Sequence, residues 1–173
     1  MLGHWDEYHE HAQPQPYGDP STYERGARWL QPCSWVEDWG CGLGWARFVI
    51  PAGRYRGLDG SQGPAVDEIV DLTAYQSQVP GIFMRHVLEH NLEWAKVLDN
   101  ALASFTERMV LILFTPMTFE THQIAWNERH GVPDISFAPQ DLESRFPDGV
   151  DFWAEDLHTT SQYGVERIYY LSR

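Results

Sequence analysis

The stretch that most constrains this chain is Val36-Glu-Asp-Trp-Gly-Cys-Gly-Leu-Gly44, followed by Trp45-Ala-Arg-Phe-Val-Ile50. A short strand pattern runs into glycines at 40, 42 and 44, and a helical pattern follows. Glycine lets the backbone turn sharply and lets a ligand approach without a side-chain clash. The helix start beyond such a loop offers unpaired N–H groups to a polar ligand. After the next apolar run comes Gly57-Leu-Asp59-Gly-Ser61. An acid at the end of a second strand accepts hydrogen bonds from a ribose diol, and Asp59 stands nineteen residues after Gly40, the spacing of nucleotide-binding α/β folds.

The remaining pattern agrees. Short apolar runs alternate with loops or helices, which predicts an α/β domain with a mostly parallel sheet. The predicted strands are Trp35–Trp39, Tyr55–Leu58, Ile69–Leu72, Gly81–Arg85 and Met109–Phe114. The fifth is apolar throughout, as a central strand buried on both faces must be. Leu88, Leu92, Ala95, Leu98, Leu102 and Phe105 recur at three- and four-residue spacing and predict a helix between strands four and five. Shorter helices are predicted over Thr22–Leu30 and over Pro139–Arg145, with Pro139 near the first turn of the latter. Val150–Trp153 and Val165–Leu171 read as two strands able to pair antiparallel at a sheet edge. A chain of 173 residues is the size of one domain and can bury a substantial core.

Charge and composition narrow the partners. Lys and Arg number 12 against 25 acids, and nucleic-acid binding draws much of its free energy from basic residues, so DNA and RNA are disfavoured. No run of about eighteen apolar residues suggests a membrane span, and the polar, acidic start is unlike a secretory signal. Cys33 and Cys41 are too few for a disulfide framework and read as reduced thiols of a cytoplasmic protein.

Dinucleotide sites favour Gly-x-Gly-x-x-Gly, whose third glycine would fall at Trp45. The observed Gly-x-Gly-x-Gly, preceded by Asp38, instead resembles motif I of the class I S-adenosylmethionine-dependent methyltransferases. Gly57-Leu-Asp59 looks like motif II of that family, and Val70-Asp71-Leu72 like its acid-containing segment beside the adenine. Arg85-His-Val-Leu-Glu-His90 resembles the Val-Leu-Glu-His stretch at the strand 4 to helix junction of many small-molecule methyltransferases. The resemblance covers about residues 34–114, in order.

It implies a Rossmann-like class I methyltransferase fold in three layers, built on a mostly parallel seven-stranded sheet with an antiparallel C-terminal strand, as one domain over residues 1–173. It also implies S-adenosyl-L-methionine as cofactor and S-adenosyl-L-homocysteine as product. Asp38, Gly40 and Gly42 would shape the methionine end, Asp59 would hold the ribose, and Asp71 with Leu72 would flank the adenine. Cys41, Gly60, Ser61, Arg85 and His86 complete the expected cofactor-binding set. The chain departs from the family in two places: residues 59–71 leave no room for a normal helix, and the helix after motif I stops at Pro51. It looks like a trimmed member.

The expected acceptor is a small molecule or a glycan, with oxygen the favoured atom. A hydroxyl acceptor benefits from a general base, and His86, the first residue past strand four, is the candidate, with His122 and His130 as alternatives. The insertion Thr115–Ala138 reads as a loop covering the acceptor pocket. Residues 1–20, with Pro14, Pro16, Gly18 and Pro20, read as an arm or lid in which Tyr17 is a candidate lid residue. His4, Asp6, His9, Glu10 and His11 read as a flexible, solvated part of that arm, and no metal is expected. His86-x-x-Glu-His90 also matches an inverted zinc-peptidase pattern, but a strand end is the wrong place for two ligands on one helical face. Strand four lacks the Asn/Asp-Pro-Pro-Tyr/Phe of amino methyltransferases acting on adenine or glutamine. The Pro32-Cys33 pair precedes strand one, the wrong place for a cytosine nucleophile. The alternative functions are an NAD-dependent oxidoreductase and a non-catalytic binding protein on a degenerate methyltransferase fold.

Overall fold

A computed structural model describes residues 2–13 and 15–173; Met1 and Pro14, one of the prolines of the arm, lie outside the described residues. In chain order the elements are α1 (Asp6–His11), α2 (Pro20–Trp29), β1 (Val36–Trp39), β2 (Tyr55–Asp59), β3 (Glu68–Ile69), β4 (Val79–Arg85), α3 (Trp94–Ser104), β5 (Phe105–Leu113), β6 (His122–Asn127), β7 (Val132–Ser136), α4 (Pro139–Glu143), β8 (Asp151–His158) and β9 (Val165–Ser172). A seven-stranded sheet runs in the order β3-β2-β1-β4-β5-β9-β8, and β6 pairs with β7 in a separate hairpin. Strands β3 to β5 are mutually parallel, and β9 runs antiparallel to both β5 and β8. The order reverses between β1 and β4, which opens a crevice at their carboxyl ends.

Alternate residues of the central strands feed two cores. Ile82 and Met84 of β4 and Met109, Leu111 and Leu113 of β5 pack with Val97, Leu98, Ala101 and Leu102 of α3 and Leu142 of α4. Phe83, Val110 and Ile112 face the other way, onto Tyr23 and Leu30 at α2 and onto Ala46 and Ile50. Helices thus cover both sheet faces in three layers. Helix α2 starts where the Asp19 carboxylate accepts from the Ser21 N–H (2.8 Å), with Pro20 in the first turn. A Cβ at Gly26 would stand 2.6 Å from the Phe83 ring, so glycine lets this helix lie close to the sheet.

Several expectations need correction. The helix expected from Leu88 starts only at Trp94; Leu88–His90 form a 3₁₀ turn instead. The Asn91 side-chain amide donates to the Val87 carbonyl (2.6 Å), which a continuous helix would reserve for the Asn91 backbone N–H; that N–H bonds Leu88 O instead. Leu92 is consequently 65% exposed, and Phe105 opens β5. Past Gly44 only 3₁₀ turns form, at Trp45–Phe48 and Ala52–Arg54, separated by Pro51. The third strand ends at Ile69, because the Asp71 carboxylate accepts from both the N–H and the hydroxyl of Thr73 and turns the chain. The insertion at 115–138 is not a plain loop: it carries β6 and a β7 that is buried along its length.

The arm is not a solvated tail. Gly3 N–H donates to Gly60 O (2.8 Å), Trp5 N–H to Ser61 Oγ (2.9 Å), and the Asp6 carboxylate accepts from Gln62 N–H (2.8 Å). These bonds dock α1 against the loop after β2, and His9 is left only 2% exposed. Among the described residues no helix is long and apolar enough to cross a membrane.

Candidate active site

The carboxyl ends of β1 to β5, the docked arm and the β6–β7 hairpin enclose a cavity of about 420 Å³. Its walls follow the strand order. Val70 and Leu72 stand past β3, and Asp59, Gly60 and Ser61 at the end of β2. Gly40, Cys41 and Gly42 follow β1, Arg85 and His86 stand at β4, and Phe114 at β5.

The glycine loop is tied to β2, since the N–H groups of Gly40 and Cys41 both donate to Leu58 O (2.8 and 2.9 Å). Gly40 has φ +74°, and a Cβ there would stand 2.3 Å from Val87 Cγ2. No other residue type fits. Gly42, at φ +52°, faces Tyr17 and His9 of the arm. Asp59, 8% exposed, accepts from the N–H of Gly42 (2.8 Å) and of Ser61 (2.9 Å). Burial pushes its pKa up against the pull of those bonds. Each of its oxygens keeps a second lone pair for a ligand. Asp38 accepts from the Tyr55 hydroxyl (2.7 Å), and burial raises it to about 7. Burial also holds the Cys41 thiol well above its ordinary range, so it is no nucleophile. Leu72 lines the cavity, whereas the Asp71 carboxylate engages Thr73 beside it.

Arg85 lines the cavity with most of its donors engaged, Nη1 lying 3.3 Å from His86 Nδ1. Nε donates to Thr22 Oγ1 (3.0 Å), and Nη2 donates to Glu166 (3.0 and 3.1 Å to its two oxygens) and to the Tyr17 carbonyl. Its guanidinium lies 4.1 Å from the Tyr23 ring centroid. This buried arginine holds the end of the arm against the sheet. His86 follows at φ +57°, strained for a non-glycine residue. Its Nε2 stands 3.5 Å from Glu166 Oε2 and makes no hydrogen bond. Burial, then the Arg85 charge, push its pKa down to about 3, which makes it a feeble proton acceptor. His122 is exposed on β6, with Nδ1 2.8 Å from Glu120 O, outside the cavity. His130 reaches the cavity rim and stacks on Trp5 at 4.1 Å.

Sequence reasoning missed His90 and Asp134. The His90 Nδ1 lies 2.9 Å from Pro133 O and 3.3 Å from Asp134 Oδ1. Asp134 Oδ2 accepts from the Tyr163 hydroxyl (2.8 Å) and from Gln162 Nε2 (3.3 Å). Burial pulls His90 down, but the Asp134 hydrogen bond, the Glu89 charge and the Pro133 carbonyl outweigh it and lift the pKa above the ordinary value. His90 belongs to a noted motif, but no local pattern links it to an aspartate on a hairpin. His9, Trp5 and Tyr8 were missed as wall residues because the arm reads as solvated. Among the described residues no three His, Cys, Asp or Glu side chains converge as a metal site would require.

Strand order, the antiparallel β9 and the glycine loop at the switch point define the Rossmann-like fold of class I methyltransferases. Solved structures agree at the level of fold. Magnesium protoporphyrin IX methyltransferase from Synechocystis PCC 6803, with bound SAH, superposes with a TM-score of 0.66 at 18% identity, covering 88% of this chain and 82% of that one. The 1,6-didemethyltoxoflavin-N1-methyltransferase of Burkholderia thailandensis gives 0.68 at 13% identity, covering 88% and 76%. The cyclase SpnF gives 0.60 at 10% identity, covering 95% and 85%. No protein-family model and no curated protein sequence matches the chain.

Proposed function

We propose that this chain binds S-adenosyl-L-methionine and transfers its methyl group to a small molecule, at oxygen. The observation that carries the reading is the buried Asp59 carboxylate, held by the Gly42 and Ser61 N–H groups beside a left-handed glycine loop, in the cavity over the sheet's switch point. The residues fit the cofactor. Asp59 retains lone pairs for a ribose diol, and Gly42 leaves space that a Cβ would fill. Val70 and Leu72 offer apolar walls to a base, and His9 Nδ1 is buried in the same cavity without a partner. A volume of about 420 Å³ falls within the roughly 300–1,000 Å³ of small-molecule sites.

When bound, the cofactor supplies a methyl group on a sulfonium, and its transfer leaves the electron pair of the broken bond on sulfur. The task of the chain is then alignment and exclusion of water. The arm closes the cavity through Trp5, Tyr8 and Tyr17; Asp59 would orient the ribose, and Asp38 and the glycine loop would shape the methionine end. The excess of acids disfavours a nucleic-acid acceptor, and two reduced cysteines suit a cytoplasmic setting. The test is incubation with methyl-labelled S-adenosylmethionine and a panel of phenols, amines and sugars. Labelled methyl ether with stoichiometric S-adenosylhomocysteine is expected. Cofactor binding without transfer to any acceptor would make this a binding protein, and transfer only to amines would overturn oxygen as the acceptor atom.

A further inference from the structure

The turn after β4 and strand β7 build a second polar centre in the cavity, apart from Asp59 and the glycine loop. Two oxygens, Pro133 O and Asp134 Oδ1, stand within reach of His90 Nδ1. Neither can donate, so Nδ1 carries the proton and the neutral ring bears its lone pair on Nε2. No described residue bonds Nε2, and the side chain keeps 17% of its surface open where it lines the cavity. Asp134 is itself fixed from its other oxygen by Tyr163 and Gln162. The ring is therefore oriented before any acceptor arrives. The groups facing it are Asp134 from β7, Glu89 from its own turn, His86 from the end of β4, His130 from the hairpin, and the rings of Trp5 and Phe114, each 5.4 Å away.

The surroundings define what can dock beside it. Trp5 stacked on His130, with Tyr8 edge-on to His130 and Phe114 beside His90, gives flat apolar faces that suit a ring. Arg85, the cation lining the cavity, is spent on Glu166, Thr22 and Tyr17, so an anionic acceptor finds no free countercharge among the described residues. Proton transfer to an imidazole is also far easier from a phenol, of pKa about 10, than from a hydroxyl near the roughly 15.7 of water.

We propose that His90, oriented by Asp134, is the proton acceptor for an uncharged aromatic hydroxyl: a phenol or a hydroxylated heteroaromatic ring. The proposal rests on the methyl-transfer reading above. One proton leaves the hydroxyl and resides on Nε2, the methyl group takes its place on oxygen, and the imidazolium returns the proton to water once the product leaves. His90 touches the acceptor; Asp134 is a positioning residue that acts through it. The Asp134 carboxylate strengthens His90 as a base by raising its pKa, and the rate should fall as pH drops through that pKa.

Two measurements test this. Long-range ¹H–¹⁵N spectra of the cofactor-free full chain should show His90 protonated on Nδ1 and titrating above 6.5. In Asp134→Asn the pKa should fall by about 1–3 units. The opposite tautomer, or a pKa unmoved in Asp134→Asn, would overturn the dyad. With labelled S-adenosylmethionine and catechol or 8-hydroxyquinoline as acceptors, His90→Ala and His90→Gln should lose roughly 10²–10⁴-fold in kcat with S-adenosylhomocysteine affinity unchanged. Asp134→Asn should shift the acid limb of kcat downward in step with the spectroscopic pKa. Turnover surviving within a few-fold in both His90 variants would overturn the base role. Turnover of methyl glucoside but of neither phenol would overturn the acceptor class. A wild-type chain that fails to bind S-adenosylhomocysteine would sink the methyl-transfer reading and the base role with it, while the spectra would still decide whether the dyad exists.

Discussion

Glu89 is fully buried in the turn after β4, with Oε1 accepting from the Phe114 N–H (2.6 Å) and Oε2 without a partner. Burial pushes its pKa from 4.5 to about 7, against the pull of His90 and of the Phe114 amide. The folded chain therefore keeps a proton that the unfolded chain releases near 4.5. The contribution of Glu89 to stability must fall as pH rises between those values and level off above about 7. The gap from 4.5 to about 7, at about 1.36 kcal/mol per pH unit, caps the effect at about 3 kcal/mol. Glu89→Gln preserves an acceptor for Phe114 and cannot ionise. The variant should resemble the wild type near pH 4.5 and exceed its stability by up to about 3 kcal/mol at pH 8. Urea unfolding of both proteins at half-unit steps from pH 4.5 to 8 reads the difference directly. A difference that stays constant across the range would refute the argument, because Glu89 would then titrate alike in the folded and unfolded chains.

Other outcomes follow from the same geometry. Gly40→Ala combines a φ of +74° with a Cβ 2.3 Å from Val87 and should cost at least about 1–3 kcal/mol, read as a lowered unfolding midpoint. Arg85→Ala strands the buried Glu166 carboxylate and should cost about 3–5 kcal/mol. The same change should speed amide exchange in the arm around Tyr17, whose carbonyl Arg85 holds. A net charge of −13 predicts no salt-sensitive gel shift with DNA or RNA at sub-micromolar protein.

What the sequence made legible was local. The three glycines, the apolar run of β5 and the acid after β2 each carry their meaning within a few residues, and the mostly parallel α/β sheet followed from that pattern. The turn at Leu88–His90 did not, because the Asn91 amide competing for the Val87 carbonyl leaves the helical spacing of the leucines intact. The arm was misread because its polar residues meet partners some fifty residues away: Ser61 for Trp5 and Gln62 for Asp6. The strained backbone and orphaned nitrogen of His86 are equally invisible in a motif. His90 and Asp134 meet only because the β6–β7 hairpin folds back onto the turn after β4, and hairpin placement is a long-range property that no short pattern encodes.

The proposed function needs the cavity at the switch point of the sheet to hold S-adenosylmethionine through Asp59. Titration calorimetry of S-adenosylhomocysteine into the wild-type chain and into Asp59→Ala tests it most directly. Micromolar-range binding to the wild type is expected, on the order of −8 kcal/mol, with a loss of roughly 1.5–3 kcal/mol in Asp59→Ala, since the lost bonds involve a charged acceptor. No heat of binding with the wild type, or equal affinity in the two proteins, would contradict it.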